Sequence, residues 1–163
     1  MPTTKKPRKR RPRSKVVVQR AAGAGAAGAA PAAALLRKYA HAAILQGSQV
    51  TLRVVGAAES RLLNRRFRKR NYATNVLSFF YGPRHGDVVL CHPVIRQEAR
   101  EQRKSLAAHY AHLVVHGILH LGGHDHLHKT GAARMERAEI RILRRLGFAD
   151  PYSEIAPVPE TVK

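Results

Sequence analysis

The chain has no tryptophan, one cysteine and two methionines, and only ten acidic residues stand against thirty lysines and arginines. A single cysteine, Cys91, excludes an intramolecular disulfide and suits a reducing compartment. Its expected place is as a small buried side chain at a strand end. No run of 18 or more uncharged apolar residues occurs, so no membrane span is expected. The basic N-terminus is not followed by a continuous Leu/Val/Ile/Phe-rich stretch, so it does not read as a secretory signal, and a cytoplasmic location is expected. There is no internal repeat and no helix-turn-helix pattern, which weighs against a helical DNA reader.

The shortage of acids leaves a formal charge of +20 over 163 residues. Residues 1–20 hold nine Lys or Arg and no Asp or Glu, so the remainder still carries 20 − 9 = +11. A field of that sign, spread over tail and body alike, concentrates polyanions, and RNA or DNA is the first candidate partner. Residues 1–15, rich in like charges and proline, read as a disordered basic tail. Residues 16–150 are long enough for one domain with its own core, and 151–163 form a proline-rich trailing segment.

Within the domain, Val16–Gln19 reads as a first strand, and AAGAGAAGAA as a loose connector whose glycines weaken any helix. Pro31 suits the start of a helix over 31–45. Gln49–Gly56 alternates polar and β-branched apolar residues, as a strand does. A short helix over 57–67 is expected to turn Leu62, Leu63 and Phe67 inward. NVLSFFY (75–81) and GDVVLC (86–91) read as strands joined by the turn GPRHG. Helices follow: one starting near Pro93, one capped by Ser105 and ending at Gly122-Gly123, and an amphipathic one over 130–147. Strands first and helices later predict an α+β fold, with a small mixed sheet of about four strands packed with about five helices.

HLVVHGILHLGGHDHLHKTG, residues 112–131, contains six histidines in an apolar run. His116 and His120 are four apart and share one face of a helix, one turn from each other, where two imidazoles can hold one metal ion. The glycine pair can reverse the chain and return His126 to the same ion. Three imidazoles with an open fourth position make a catalytic zinc geometry. Spacing alone leaves other choices open. His109 and His112 extend the same face backwards, and His124 and His128 compete with His126. The zinc-peptidase signature needs Glu after its first His, and Gly117 stands there instead.

HGILHLGGHDH resembles the H-G-x-L-H-L-x-G-x-D-H signature of the YbeY endoribonuclease family. ESRLLNRRFRKRNYATNVLSF, GDVVLC, KSLAAHYAHLVVHG and MERAEIRILRRLGFADPY are similar to the family's segments in the same order, over about residues 49–152. The resemblance implies one zinc ion per chain held by His116, His120 and His126, with an arginine at the RNA site falling on Arg68. It implies a single-strand-specific endoribonuclease of ribosomal RNA maturation, acting at the 16S 3′ end and in ribosome quality control. The small ribosomal subunit or its assembly factors would then be partners. Two positions depart from the pattern: Lys69 replaces a glycine, and His124 replaces an aromatic residue.

The chemistry fits those residues. Zinc lowers the pKa of bound water to about 7, or acts as a Lewis acid on a phosphoryl oxygen. An arginine fork pairs two phosphate oxygens at once, which makes Arg68, with His116, the candidate catalytic pair. Arg65, Arg66, Arg68, Lys69 and Arg70 form a basic cluster expected to bind RNA, and Asp125 can orient a neighbouring imidazole. Arg68 and the metal are expected to face one cleft floored by the helix of His116 and His120. No residue declares itself as general base. Two other classes stand beside the nuclease: a zinc-bearing rRNA-binding assembly factor with little catalysis, and a metallohydrolase of another substrate such as a peptide.

Overall fold

The computed structural model describes residues 9–24, 29–123 and 129–153. These residues form, in chain order, β1 (Lys15–Arg20), α1 (Ala33–Ala43), β2 (Gln49–Val55), α2 (Ala57–Arg68), β3 (Val76–Gly82), β4 (His85–Cys91), α3 (His92–Glu101), α4 (Leu106–Leu121) and α5 (Lys129–Arg145), with a 3-10 turn at Ala22–Ala24. The strands form one mixed sheet in the order β1-β2-β4-β3. β1 and β4 flank β2 in parallel, and β3 pairs antiparallel with β4 as the outer strand on that side. This is the expected α+β architecture. β1 begins at Lys15, inside the stretch read as tail, and pairs it with Gln49. Residues 1–8 of that tail lie outside the described residues.

Alternation along the strands gives the sheet two apolar faces. Val50, Leu52, Val54, Val88 and Leu90 point one way and pack with Leu36 and Tyr39 of α1 and with Tyr110, Val114 and Ile118 of α4. Val55, Leu77, Val89 and Cys91 point the other way, toward Leu63 of α2 and Val94 of α3. Burying each such side chain contributes about 1.5–3 kcal/mol. Cys91 closes β4 and is buried, as expected.

Helix α2 departs from its expected orientation. Leu62 is 63% and Phe67 50% exposed, while Ser60 and Asn64 are buried. Hydrogen bonding explains the reversal. Ser60 Oγ donates to the Thr74 carbonyl and accepts from its N–H, and Asn64 Nδ2 donates to the Tyr72 carbonyl. The inward polar residues hold down the loop that leads into β3, and only Leu63 serves the apolar layer.

α4 is the central helix. Ser105 caps it, its Oγ accepting the Ala108 N–H at 3.1 Å. Gly123, at φ 94°, turns the chain out of it. A Cβ on Gly117 would lie 2.7 Å from Val88 Cγ1 and 3.2 Å from Ser78 Oγ, and that hydroxyl donates to the Gly117 carbonyl. The helix therefore presses against the sheet at the position where a zinc peptidase carries its glutamate. Gly117 permits the close approach, which sets the preceding residue, His116, beside β3.

Candidate functional site

Four histidines descend one face of α4. Ring centroids are 6.3 Å apart for His109 and His112, 6.2 Å for His112 and His116, and 4.7 Å for His116 and His120. The stripe runs from the interior to a cleft. His109 is buried, and its Nε2 lies 2.7 Å from Glu98 Oε2. Burial lowers the pKa of His109, and Glu98 opposes that effect. His116 and His120 are half-buried and line the cleft.

Glu139 organises the middle of the stripe. It is fully buried, and α5 delivers it there: Met135, Ala138, Glu139, Ile142 and Leu143 form the inward face of that helix. His116 Nδ1 donates to Glu139 Oε1 at 2.6 Å, and His112 Nε2 donates to Oε2 at 3.0 Å. The Tyr152 hydroxyl, from the chain after α5, also donates to Oε2. Burial pushes the Glu139 carboxyl up, but the three donors outweigh it and bring it to about 2, so it stays ionised. Burial first, and then Glu139, raise the pKa of Tyr152 and keep it a donor.

His112, His116 and Glu139 could hold a metal ion, since one ligand atom from each lies within 4.8 Å of the others. In that triangle a cation would have to replace both histidine–carboxylate hydrogen bonds. An alternative uses Glu139 as it stands. With Nδ1 tied to a buried carboxylate, a metal bond from His116 would run through Nε2, and the carboxylate would fix the orientation of the ring. The donor set of the cleft, imidazoles one turn apart with one already oriented, suits a borderline cation such as zinc.

The cleft has a volume of about 410 Å³, and its lining includes Arg68, Asn75, Ser78, Phe80, His116 and His120. Arg68 comes from α2, on the other side of the sheet. It reaches the cleft around β3, which has no strand beyond it among the described residues: Nη2 donates to the Ser78 carbonyl at 2.9 Å, and the guanidinium carbon sits 5.6 Å from the Phe79 ring centroid. Lys69, at φ 57° and ψ 33°, ends α2 in the left-handed conformation that a glycine would adopt without strain. The departure from glycine thus preserves the backbone turn that follows Arg68.

Of the expected site residues, Arg68, His116 and His120 are brought together. Arg65, Arg66, Lys69 and Arg70 are exposed and do not line the cleft, and Arg70 bonds the Tyr72 hydroxyl instead. Asp125 and His126, with the competing His124 and His128, lie outside the described residues, between α4 and α5. Sequence reasoning missed Glu139 and Tyr152. A signal for Glu139 existed: it is a lone acid on the apolar stripe of an amphipathic helix. No comparable signal marked Tyr152.

Residues 29–147 match the family described as Endoribonuclease YbeY. The chain is 49% identical over 141 residues to Endoribonuclease YbeY of Aromatoleum aromaticum, covering 85% of this chain and 92% of that one. It is 49% identical over 125 residues to the Nitrosomonas eutropha protein of the same name, covering 75% and 89%. The Bordetella pertussis protein is 55% identical over 113 residues, covering 66% and 72%. The solution structure of a Thermotoga maritima protein shares the fold, with a TM-score of 0.53 over 85% of this chain and 99% of that one at 20% identity. The chain belongs to the YbeY endoribonuclease family.

Proposed function

We propose that this chain is a zinc-dependent, single-strand-specific endoribonuclease that matures ribosomal RNA, acting at the 16S 3′ end and in ribosome quality control in the cytoplasm. Its partners would be ribosomal RNA and the small subunit or its assembly factors. One observation carries the reading: an arginine from one side of the sheet and two histidines from α4 line a single cleft. Family membership supports the reaction, and the charge of +20 supports the polyanionic substrate. Among the described residues no helix is long and apolar enough to cross a membrane.

His116, His120 and His126 would hold the ion. Bound zinc supplies Lewis acidity and brings the pKa of a coordinated water to about 7. The chain's own contribution is positional and electrostatic. Glu139 holds the His116 ring through Nδ1. The Ser78 carbonyl and the Phe79 ring hold the Arg68 guanidinium at the cleft wall, where it can pair two non-bridging oxygens of one phosphate. Those oxygens gain negative charge as the phosphodiester is attacked, and a fixed cation in a partly enclosed site favours that change.

The test is cleavage of a single-stranded fragment carrying the 16S 3′ end, with zinc content measured in parallel. Arg68→Glu should cut about 10²–10³-fold more slowly while keeping its zinc and fold. Arg68→Lys should retain part of the rate, since it keeps the charge without the fork. His120→Ala should lose zinc. Wild-type cleavage by Arg68→Glu would return Arg68 to a surface role. A zinc-loaded wild type that cuts no RNA would leave the chain an rRNA-binding assembly factor.

A further inference from the structure

Phe67, expected in the core, is 50% exposed, and Tyr81 on β3 is 60% exposed. Both line a groove of about 360 Å³ on the α2 side of the sheet, together with Arg66, Phe79, Leu63 and Val89. Phe67 and Phe79 meet edge to face at 5.2 Å, and the Arg66 guanidinium lies 5.4 Å from the Phe67 ring centroid. Exposed rings beside arginines are what a splayed single strand stacks on, because every base has a π-face.

Two acids also line this groove, and both are engaged. Glu59 accepts from Arg53 Nε at 2.8 Å, and Asp87 accepts from the Tyr81 hydroxyl at 2.9 Å. Arg53, Arg66 and the adjacent Arg68 outnumber them. The groove adjoins the cleft at Arg68, which lines the cleft while its guanidinium lies against Phe79 of the groove. Phe80, 64% exposed, stands on the cleft side of the same outer strand.

We propose that single-stranded RNA leaving the cleft crosses the outer edge of β3 and stacks its unpaired bases on Phe67 and Tyr81. This rests on reading the cleft as the RNA-cleaving site. Arg68 then does double duty, pairing a phosphate in the cleft and marking the crossing point. A duplex keeps its bases inside the stack and has none to offer these rings, so the groove adds a preference for unpaired flanks.

Equilibrium binding of RNA, read separately from cleavage, tests the proposal. The probes are a single strand of about ten nucleotides and one of about three, too short to reach both sites. Phe67→Ala and Tyr81→Ala should each weaken the longer strand on the order of tenfold and leave the shorter unchanged. Phe67→Tyr should bind as wild type, since it keeps a ring. Leu62→Ala, an exposed change on the same helix outside the groove, should have no effect. Unchanged affinity in both ring variants, equal loss at both lengths, or an equal loss in Leu62→Ala would overturn the groove. If the length-dependent loss appears while wild type cuts nothing, the groove stands and the nuclease reading falls.

Discussion

His109, near the inner end of α4, and His116, seven residues on, share one helix face and one chemistry. Their surroundings differ. His109 is 3% exposed, paired with Glu98, and its Nδ1 finds no hydrogen-bond partner among the described residues. His116 is half-buried, opens on a cleft shared with Arg68, and has its Nδ1 committed to a fully buried carboxylate. At the inner end, burial keeps the imidazole neutral and makes it packing. At the cleft end, the partner beneath the ring fixes one nitrogen and thereby assigns the other. Residue type and helical spacing alone do not distinguish a ligand from a core histidine.

The widest contrast should come from truncating each ring. His116→Ala should lower RNA cleavage by about 10³-fold or more, and should also cost about 1–3 kcal/mol because it removes one of the three donors to the buried Glu139. His109→Ala should cost about 2–3 kcal/mol in denaturant unfolding, through a cavity and a less well paired Glu98, and leave cleavage nearly intact. If both variants lost activity equally, the two ends would be functionally alike.

Gly117 explains why the stripe faces the cleft at all. Gly117→Glu should destabilise by about 3 kcal/mol or more, because its side chain meets Val88 and its charge has no partner there. A stable Gly117→Glu protein would show that α4 can move off the sheet. Next in size, Glu139→Gln should lower zinc affinity about 10–100-fold by weakening the group that orients His116, with near-native circular dichroism. Unaltered affinity would favour a site that does not use His116 in this way.

A smaller effect concerns pH. His109 has its pKa lowered in the folded state, so the unfolded chain takes up a proton first, near its ordinary value of about 6.5. The associated stability is complete above about 6.5 and is lost as pH falls below it toward the folded value. His109→Gln should flatten the fall in stability between neutral and mildly acid pH relative to wild type. Smallest is Lys69→Gly. The left-handed conformation costs a non-glycine residue about 1–2 kcal/mol, and glycine's extra unfolded-state entropy offsets part of that. Unfolding should show a net gain of up to about 1 kcal/mol, with cleavage unchanged.

Much of this was legible beforehand, for local reasons. The strands follow β-branched alternation, α4 follows its Ser105 cap and its glycine stop, and His116 and His120 share a face by helical arithmetic. α2 misled because its apolar residues lie at helical spacing, yet the hydrogen-bonding needs of residues 72–74 turned Ser60 and Asn64 inward instead. Glu139 was visible only as an anomaly on a stripe, and Tyr152 not at all. Each finds its partner from far along the chain.

The sequence by itself determined the element order, the family, the charge that selects a polyanion, and the pair of imidazoles one turn apart. These depend on composition and on periodicities a few residues long. Only the tertiary structure decided that Arg68 reaches around β3 into the histidine cleft, that Gly117 is pressed against Val88, and that Glu139 and Tyr152 sit beneath His112 and His116. Such juxtapositions come from the packing of helices on both faces of a sheet, and no window along the chain contains both partners.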